Sequence, residues 1–330
     1  MSQVPNRRTS FWVEEPHRGA LRHEPFEPGP GPVVRTLFSG ISAGTERLVF
    51  KGLVPPSQYQ IMRAPAQRGD FPAPVAYGYA AVGHVLAGSA NLKGRHVFAL
   101  QPHQSWFSAD EPSLVPLPSA VPPDRAVLAA NMETALNALW DGEMAGDERV
   151  GVIGAGVVGC LIAYLYQRLA GISPEVIDID PRRVELARGL GLDARLSEQA
   201  TADRTVLFHA SGHGDGLVRA LELAAFEGRI VELSWYGSTR VSLPLGERFH
   251  AQRLSIISSQ VGHVATSKRA TVSHRQRLEQ ALSLLDDPVL DRLISHRVRF
   301  EDLPDFMAEL ATTSKPVMCA CVVYPNQTEN

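Results

Sequence analysis

The 330 residues carry 32 Lys and Arg against 35 Asp and Glu, a net charge of −3, with 44% hydrophobic and 20% charged residues. That balance gives no electrostatic reason to bind nucleic acid or an anionic membrane, and no apolar run reaches the roughly 18 residues a spanning helix needs. Three cysteines (Cys160, Cys319, Cys321) make no disulfide framework, and the opening MSQVPNRRTSFWVEEP lacks the apolar core of a signal peptide, so a reducing cytoplasm is the expected location.

Such a length suits two domains better than one core. Proline and glycine are dense through residue 125 (PGPGP, LVPPSQ, APAQRGDFPAP, PLPSAVPP), and the apolar runs between them are short. This reads as a β-rich domain with long loops, its strands around residues 11–13, 33–38, 75–87 and 95–100. Residues 124–140 change character, with Ala126, Leu128, Ala129, Met132, Ala135, Leu136 and Leu139 on one helical face. From Arg149 strands and helices alternate, as a parallel sheet with crossover helices requires. Strands are expected at 150–153, 176–179, 205–209, 229–233 and 254–259, with helices to about 169, at 181–189 and at 216–225. A helix at 274–285, a strand at 293–300, a helix at 302–310 and a strand at 317–324 close the chain. The expected division is 131–261 for a doubly wound α/β domain and 1–130 for the β-rich domain, completed by 262–330.

The most informative stretch is Arg149–Asp180. A short apolar strand runs into Gly154-Ala155-Gly156-Val157-Val158-Gly159, then a helix, then a strand that carries Asp178. Gly154 permits a tight turn, Gly156 lets the backbone approach a pyrophosphate, and Gly159 lets the helix pack close on the strand. The amides from Val157 and Val158 onward face the phosphates with the positive end of the helix dipole. Asp178 falls 19 residues after Gly159, where a carboxylate binds a ribose 2′-hydroxyl. An acid there repels a 2′-phosphate, so NAD is the expected cofactor; Arg182 and Arg183 close behind keep NADP open. Ser211, Ser234, Trp235 and Ser259 end or follow sheet strands and are expected to meet the cofactor.

A β-rich first domain, a dinucleotide domain and a C-terminal return resemble the medium-chain dehydrogenase/reductase superfamily, zinc alcohol dehydrogenases included. The resemblance implies a Rossmann domain beside a GroES-like catalytic domain. Its most specific piece is Phe38-Ser39-Gly40-Ile41-Ser42-Ala43-Gly44-Thr45-Glu46, with Phe50-Lys51-Gly52 and Pro55-Pro56 following. This version looks most like the bacterial branch that contains hydroxyethyl-bacteriochlorophyllide a dehydrogenase. In zinc members the strand end reads G-I-C-x-S/T-D; here Ser42 stands in the cysteine position. Tyr77-Gly78-Tyr79-Ala80-Ala81-Val82-Gly83 matches the family's G-H-E-x-x-G, with Tyr79 in place of the zinc-binding histidine. The third ligand position falls near Ala129-Ala130, and the four-cysteine structural lobe is missing. Catalytic zinc needs three protein ligands, so no metal is expected, with an unconventional Glu133, Glu46 and His103 set as the one residual alternative.

Without the ion a side chain must handle the proton and polarise the oxygen. By the resemblance, Tyr79 does so or merely fills the vacated volume; as a base, its phenol would have to be lowered from about 10. Thr45 matches the relay hydroxyl or caps a loop, and Leu48 stands where some relatives place a relay histidine. Glu46 is an acid beside the site or a structural group. Ser42, Glu133 and His103 are candidates for contact with substrate, His103 also as an acid/base or as a structural loop histidine. Trp235 and Tyr236 either wall the nicotinamide or lie in a homodimer interface. The expected activity is NAD(P)-dependent interconversion of a secondary alcohol and a ketone on a bulky small molecule. Zinc-free reduction of a quinone or enone C=C bond, and dinucleotide binding without turnover as a sensor or scaffold, are the alternatives.

Overall fold

The computed structural model describes residues 5–143, 146–313 and 316–325. In chain order the first half gives β1 (Arg7–Glu15), β2 (Arg18–Pro25), β3 (Val33–Ser42), α1 (Ala43–Phe50), β4 (Arg68–Gly69), β5 (Val75–Ala76), β6 (Ala81–Ala87), β7 (His96–Ala99), β8 (Trp106–Ser108), β9 (Val115–Pro116) and α2 (Ala129–Asp141). The second half gives β10 (Val150–Ile153), α3 (Val157–Ala170), β11 (Glu175–Asp178), α4 (Pro181–Gly189), β12 (Asp193–Leu196), β13 (Arg204–His209), α5 (Gly214–Leu223), β14 (Ala224–Glu232), β15 (Ser255–Ser258), α6 (His274–Ser283), β16 (Ile294–Arg299), α7 (Leu303–Thr312) and β17 (Cys319–Val323). Among the described residues no helix is long and apolar enough to cross a membrane.

The chain forms two compact units, residues 1–130 with 282–330, and residues 131–281. The expected boundary at 261 is therefore twenty residues early. Its correction has a physical cause: Arg277 of α6 is buried and binds Glu133 and Asn137 of α2 and the carbonyls of Val261 and His263. An ion buried this deeply is tolerated only with its partners, so 262–281 stay with the second unit.

The first unit has a four-stranded sheet, β2-β1-β5-β4, and a larger one in the order β16-β17-β3-β6-β7-β9, with β8 also paired to β3. Val34, Ala81, Val85, Val97, Phe107 and Leu114 fill part of its core, each of the larger side chains contributing about 1.5–3 kcal/mol by burial. The single strand expected over 75–87 is two. Val75–Ala76 pairs with β1 and β4, whereas Ala81–Ala87 pairs with β3 and β7. Gly78 makes the break, with φ of +123°, a conformation open chiefly to glycine. The break puts Tyr79 in a loop between sheets. Helix α1 is also absent from the sequence expectation, because eight residues containing Gly44 give little periodicity.

The second unit is one parallel sheet in the order β12-β11-β10-β13-β14-β15. Relabelled by sequence within the unit this is 3-2-1-4-5-6, the doubly wound dinucleotide-binding order, whose direction reverses between β10 and β13. Ile153, Ile177, Leu207, Leu217, Leu221 and Ile230 pack between sheet and helix.

Candidate active site

In the first unit the chemistry gathers at the start of α1. Ser42 is its N-cap, and Glu46 in the first turn reaches back to accept the Ser42 amide at 2.9 Å, which satisfies one orphan donor of the helix. The other carboxylate oxygen of Glu46 lies 2.7 Å from Nε2 of His103. Both side chains are buried, at 4% and 1% exposure, so the pair is a built feature rather than a surface contact.

His103 is fixed from several sides. Its amide donates to the Tyr77 carbonyl and its carbonyl accepts from Phe11. A Cβ on Gly78 would come within 3.1 Å of the His103 ring and amide, so glycine there serves both the turn and the fit. Ser39 Oγ sits 2.7 Å from Nδ1, and the Tyr324 hydroxyl lies 3.0 Å from Ser39. A carboxylate only accepts. Nε2 therefore carries a hydrogen toward Glu46, and in the neutral ring Nδ1 accepts from Ser39, which in turn accepts from Tyr324.

Tyr79 lies beside this group, and its phenol bonds with the side chains of Ser42 and Thr45. Burial, and then the charge of Glu46, push that phenol well above its ordinary value, against the lowering effect of the two hydroxyls. At neutral pH the Tyr79 phenol thus keeps its proton, and work as a base would still require that pKa to be lowered. Its ring meets Tyr77 edge-on at 5.9 Å, Tyr77 meets Phe71 at 5.6 Å, and Phe71 meets Tyr59 at 6.0 Å.

In the second unit the glycine loop crosses the end of β13. Gly154 has φ of +103°, and a Cβ there would strike the Ser211 amide at 2.7 Å. Gly156 caps α3 in extended backbone, leaving the amides of the first turn, from Val157 and Val158 onward, unbonded within the helix. Asp178 accepts the Ala155 amide at 2.7 Å and the Asp180 amide at 2.9 Å, so the acid is locked beside the loop with lone pairs left for a ribose hydroxyl. Arg182 is engaged bidentately by Asp180 at 3.0 and 2.8 Å, while Arg183 reaches the Gly156 position.

Ser211 and Ser234 belong to a network that the sequence did not reveal. Ser211 Oγ lies 2.6 Å from Nε2 of buried His209, whose Nδ1 is 2.7 Å from Glu232. Glu232 also accepts the Ser234 amide at 2.7 Å and the Tyr236 hydroxyl at 3.0 Å, and Ser234 Oγ accepts the Gly212 amide at 3.1 Å. A histidine and a glutamate ending adjacent parallel strands, each two residues before a serine, are the signal that was present. Trp235 is partly exposed. Ser259 is buried and donates to Asp141 at 2.7 Å, which anchors the strand to α2. Glu133 is buried against Arg277 at 3.0 Å, with burial raising its carboxyl and Arg277 opposing. That arrangement is an internal ion pair.

No family profile matches the chain. Over 212 residues it is 28% identical to a zinc-type alcohol dehydrogenase-like protein of Haemophilus influenzae, an alignment covering 60% of this chain and 58% of that relative. The chain thus spans less than two thirds of the relative's length. L-idonate 5-dehydrogenase from Escherichia coli matches with a TM-score of 0.77 at 17% identity, over 96% of this chain and 98% of that one. An alcohol dehydrogenase from Escherichia coli CFT073, complexed with NADH, matches at 0.75 and 17%, over 97% and 100%. The fold is the one these dehydrogenase structures share.

A catalytic zinc would need three ligands, and the residues present do not fit one. Ser42 and Tyr79 bond through their hydroxyls, Ala129 and Ala130 are buried alanines, and both nitrogens of His103 are engaged. Among the described residues no group of three His, Cys, Asp or Glu side chains is placed to hold a metal ion.

Proposed function

We propose that the protein is an NAD-dependent oxidoreductase that interconverts a secondary alcohol and a ketone on a bulky small molecule, without catalytic zinc. One observation carries the reading: the Tyr79 phenol, bonded by Ser42 and Thr45 and raised beside Glu46, is a preset proton donor. When bound at the glycine loop, nicotinamide supplies or accepts hydride. Tyr79 then donates its proton to the carbonyl oxygen as charge develops there, and Ser42 and Thr45 hold that hydroxyl in place. In the oxidative direction Tyr79 must first lose its proton, which its raised pKa opposes.

Asp178 beside the loop, and Arg182 held by Asp180, support NAD over NADP, since neither offers a ready partner for a 2′-phosphate. The row of rings from Tyr59 to Tyr79 supports a large apolar substrate, in line with the resemblance to the bacterial pigment branch. The test is reduction of a panel of ketones and enones with stereolabelled deuterated NADH. The reading expects deuterium on the carbinol carbon. Deuterium at an alkene carbon would replace it with C=C reduction, and NADH binding with no turnover on any compound would replace it with a binding function.

A further inference from the structure

We propose that His84 and His96 of the first unit form a binding site for one late transition-metal ion, of the Cu(II) or Zn(II) class, that clamps β6 to β7. The two residues are direct cross-strand partners in the antiparallel pairing of these strands. Their chain neighbours Val85 and Val97 pack in the core, and side chains alternate between the two faces of a strand. Both imidazoles therefore stand together on the other face. There His84 is half-buried and His96 exposed, within reach of an ion from solvent. Their ring centres are 5.6 Å apart and the ring planes cross at 64°. A bound zinc sits about 2.0–2.1 Å from each imidazole nitrogen, which places two rings sharing one ion roughly 4.5–6 Å from centre to centre. The spacing of the pair falls inside that window.

Two further observations make the pair a ligand set rather than a packing contact. Nδ1 of His84 is buried with no hydrogen-bond partner, a desolvation cost that nothing in the protein offsets and that coordination to a metal would relieve. Burial, and then the neighbouring His84, hold His96 below its ordinary value, so at pH 7 its ring is in the neutral form that a metal takes. Arg35 of β3, in register with His84, would oppose a cation if it leaned toward the pair. It instead lines a cavity with Trp106 and Tyr324, which belong to β8 and follow β17, the strands on the other side of β3 from β6. Two imidazoles leave the remaining coordination positions to water. Nitrogen donors favour Cu(II) over Zn(II), and both over Mg(II), which takes oxygen ligands. The ion takes no part in the proposed reduction: it ties two strands of the native sheet and stabilises the folded state by mass action.

The experiment titrates CuCl2, ZnCl2 and MgCl2 into the full chain by calorimetry, free of any affinity tag, and melts it with and without ZnCl2, for the parent, His84→Ala and His96→Ala. The site predicts one Cu(II) per chain, bound more tightly than Zn(II), no heat with Mg(II), and a Tm that rises with Zn(II). Each variant should bind Cu(II) at least tenfold more weakly and lose the rise in Tm. His96 is exposed, so H96A should melt like the parent without metal and carries the test even where H84A folds poorly. A parent that binds no Cu(II) overturns the site. Parent-like Cu(II) affinity in H96A does so too, since the ion then sits on other histidines.

Discussion

The acid–base character of the proposed site is set by what surrounds one phenol. Burial and the Glu46 carboxylate raise Tyr79, and the Ser42 and Thr45 hydroxyls offset only part of that. Tyr79→Phe keeps the ring and its packing on Tyr77 but removes the proton, so ketone reduction should fall by about 10²–10⁴-fold while NADH titration stays unchanged. The sign of the shift fixes the pH behaviour. A donor held above about 10 remains protonated across the usual range, so kcat/KM for ketone reduction should be flat from pH 6 to 9. Alcohol oxidation needs the ionised form and should climb about tenfold per pH unit over the same range, with no levelling. A plateau for oxidation near pH 7 would mean that another base acts. Tyr79 and Thr45 were legible from the sequence because they sit in a stretch resembling known dehydrogenases. Ser39 and Tyr324 were not, since nothing local marks them: they lie 285 residues apart and meet only through the pairing of β3 with β17.

Individual elements make sharper tests of the nucleotide loop. A Cβ on Gly159 would sit 1.9 Å from the Gly154 carbonyl oxygen, whereas one on Gly156 would come only within 3.4 Å of Arg183. Gly159→Ala should therefore lower Tm and disturb the α3–β10 packing. Gly156→Ala should melt like the parent yet bind NADH at least tenfold more weakly in calorimetry. Equal Tm losses in both would contradict the assigned roles. The second element-scale test concerns α6. Arg277→Leu leaves Glu133 buried without its cation, a loss of about 3–5 kcal/mol. Burial already raises the Glu133 carboxyl, and removing Arg277 raises it further. A group whose folded pKa exceeds its unfolded one is tolerated at low pH and penalised as pH rises through the folded value. The deficit of R277L in denaturant melts should therefore be smaller at pH 5 than at pH 8. A pH-independent deficit would rule out an ionised, stranded Glu133. This buried pair also keeps residues 262–281 in the second unit, and only tertiary contacts reveal that Arg277 is buried.

Across the whole molecule, a doubly wound sheet in the order 3-2-1-4-5-6 keeps its glycine loop and acid, and in the other unit the Ser42 and Thr45 hydroxyls bond the Tyr79 phenol. Strand–helix alternation and the glycine spacing made most of the second unit readable, but β12 (Asp193–Leu196), four residues with an Asp and an Arg, was not seen. The first unit was harder, because short strands such as Arg68–Gly69 and Val75–Ala76 carry no period long enough to detect. Its β2 strand hides behind charge, with Arg22 paired to Glu14 and lying over the Trp12 ring at 4.2 Å. The central claim of the proposal is that a phenol, with no metal ion, hands the proton to the carbonyl oxygen. The most direct measurement is the rate of ketone reduction by NADH before and after exhaustive dialysis against dipicolinate, with zinc then added back. An unchanged rate at every stage is the predicted result. Loss of activity on chelation, restored by zinc, would contradict the claim.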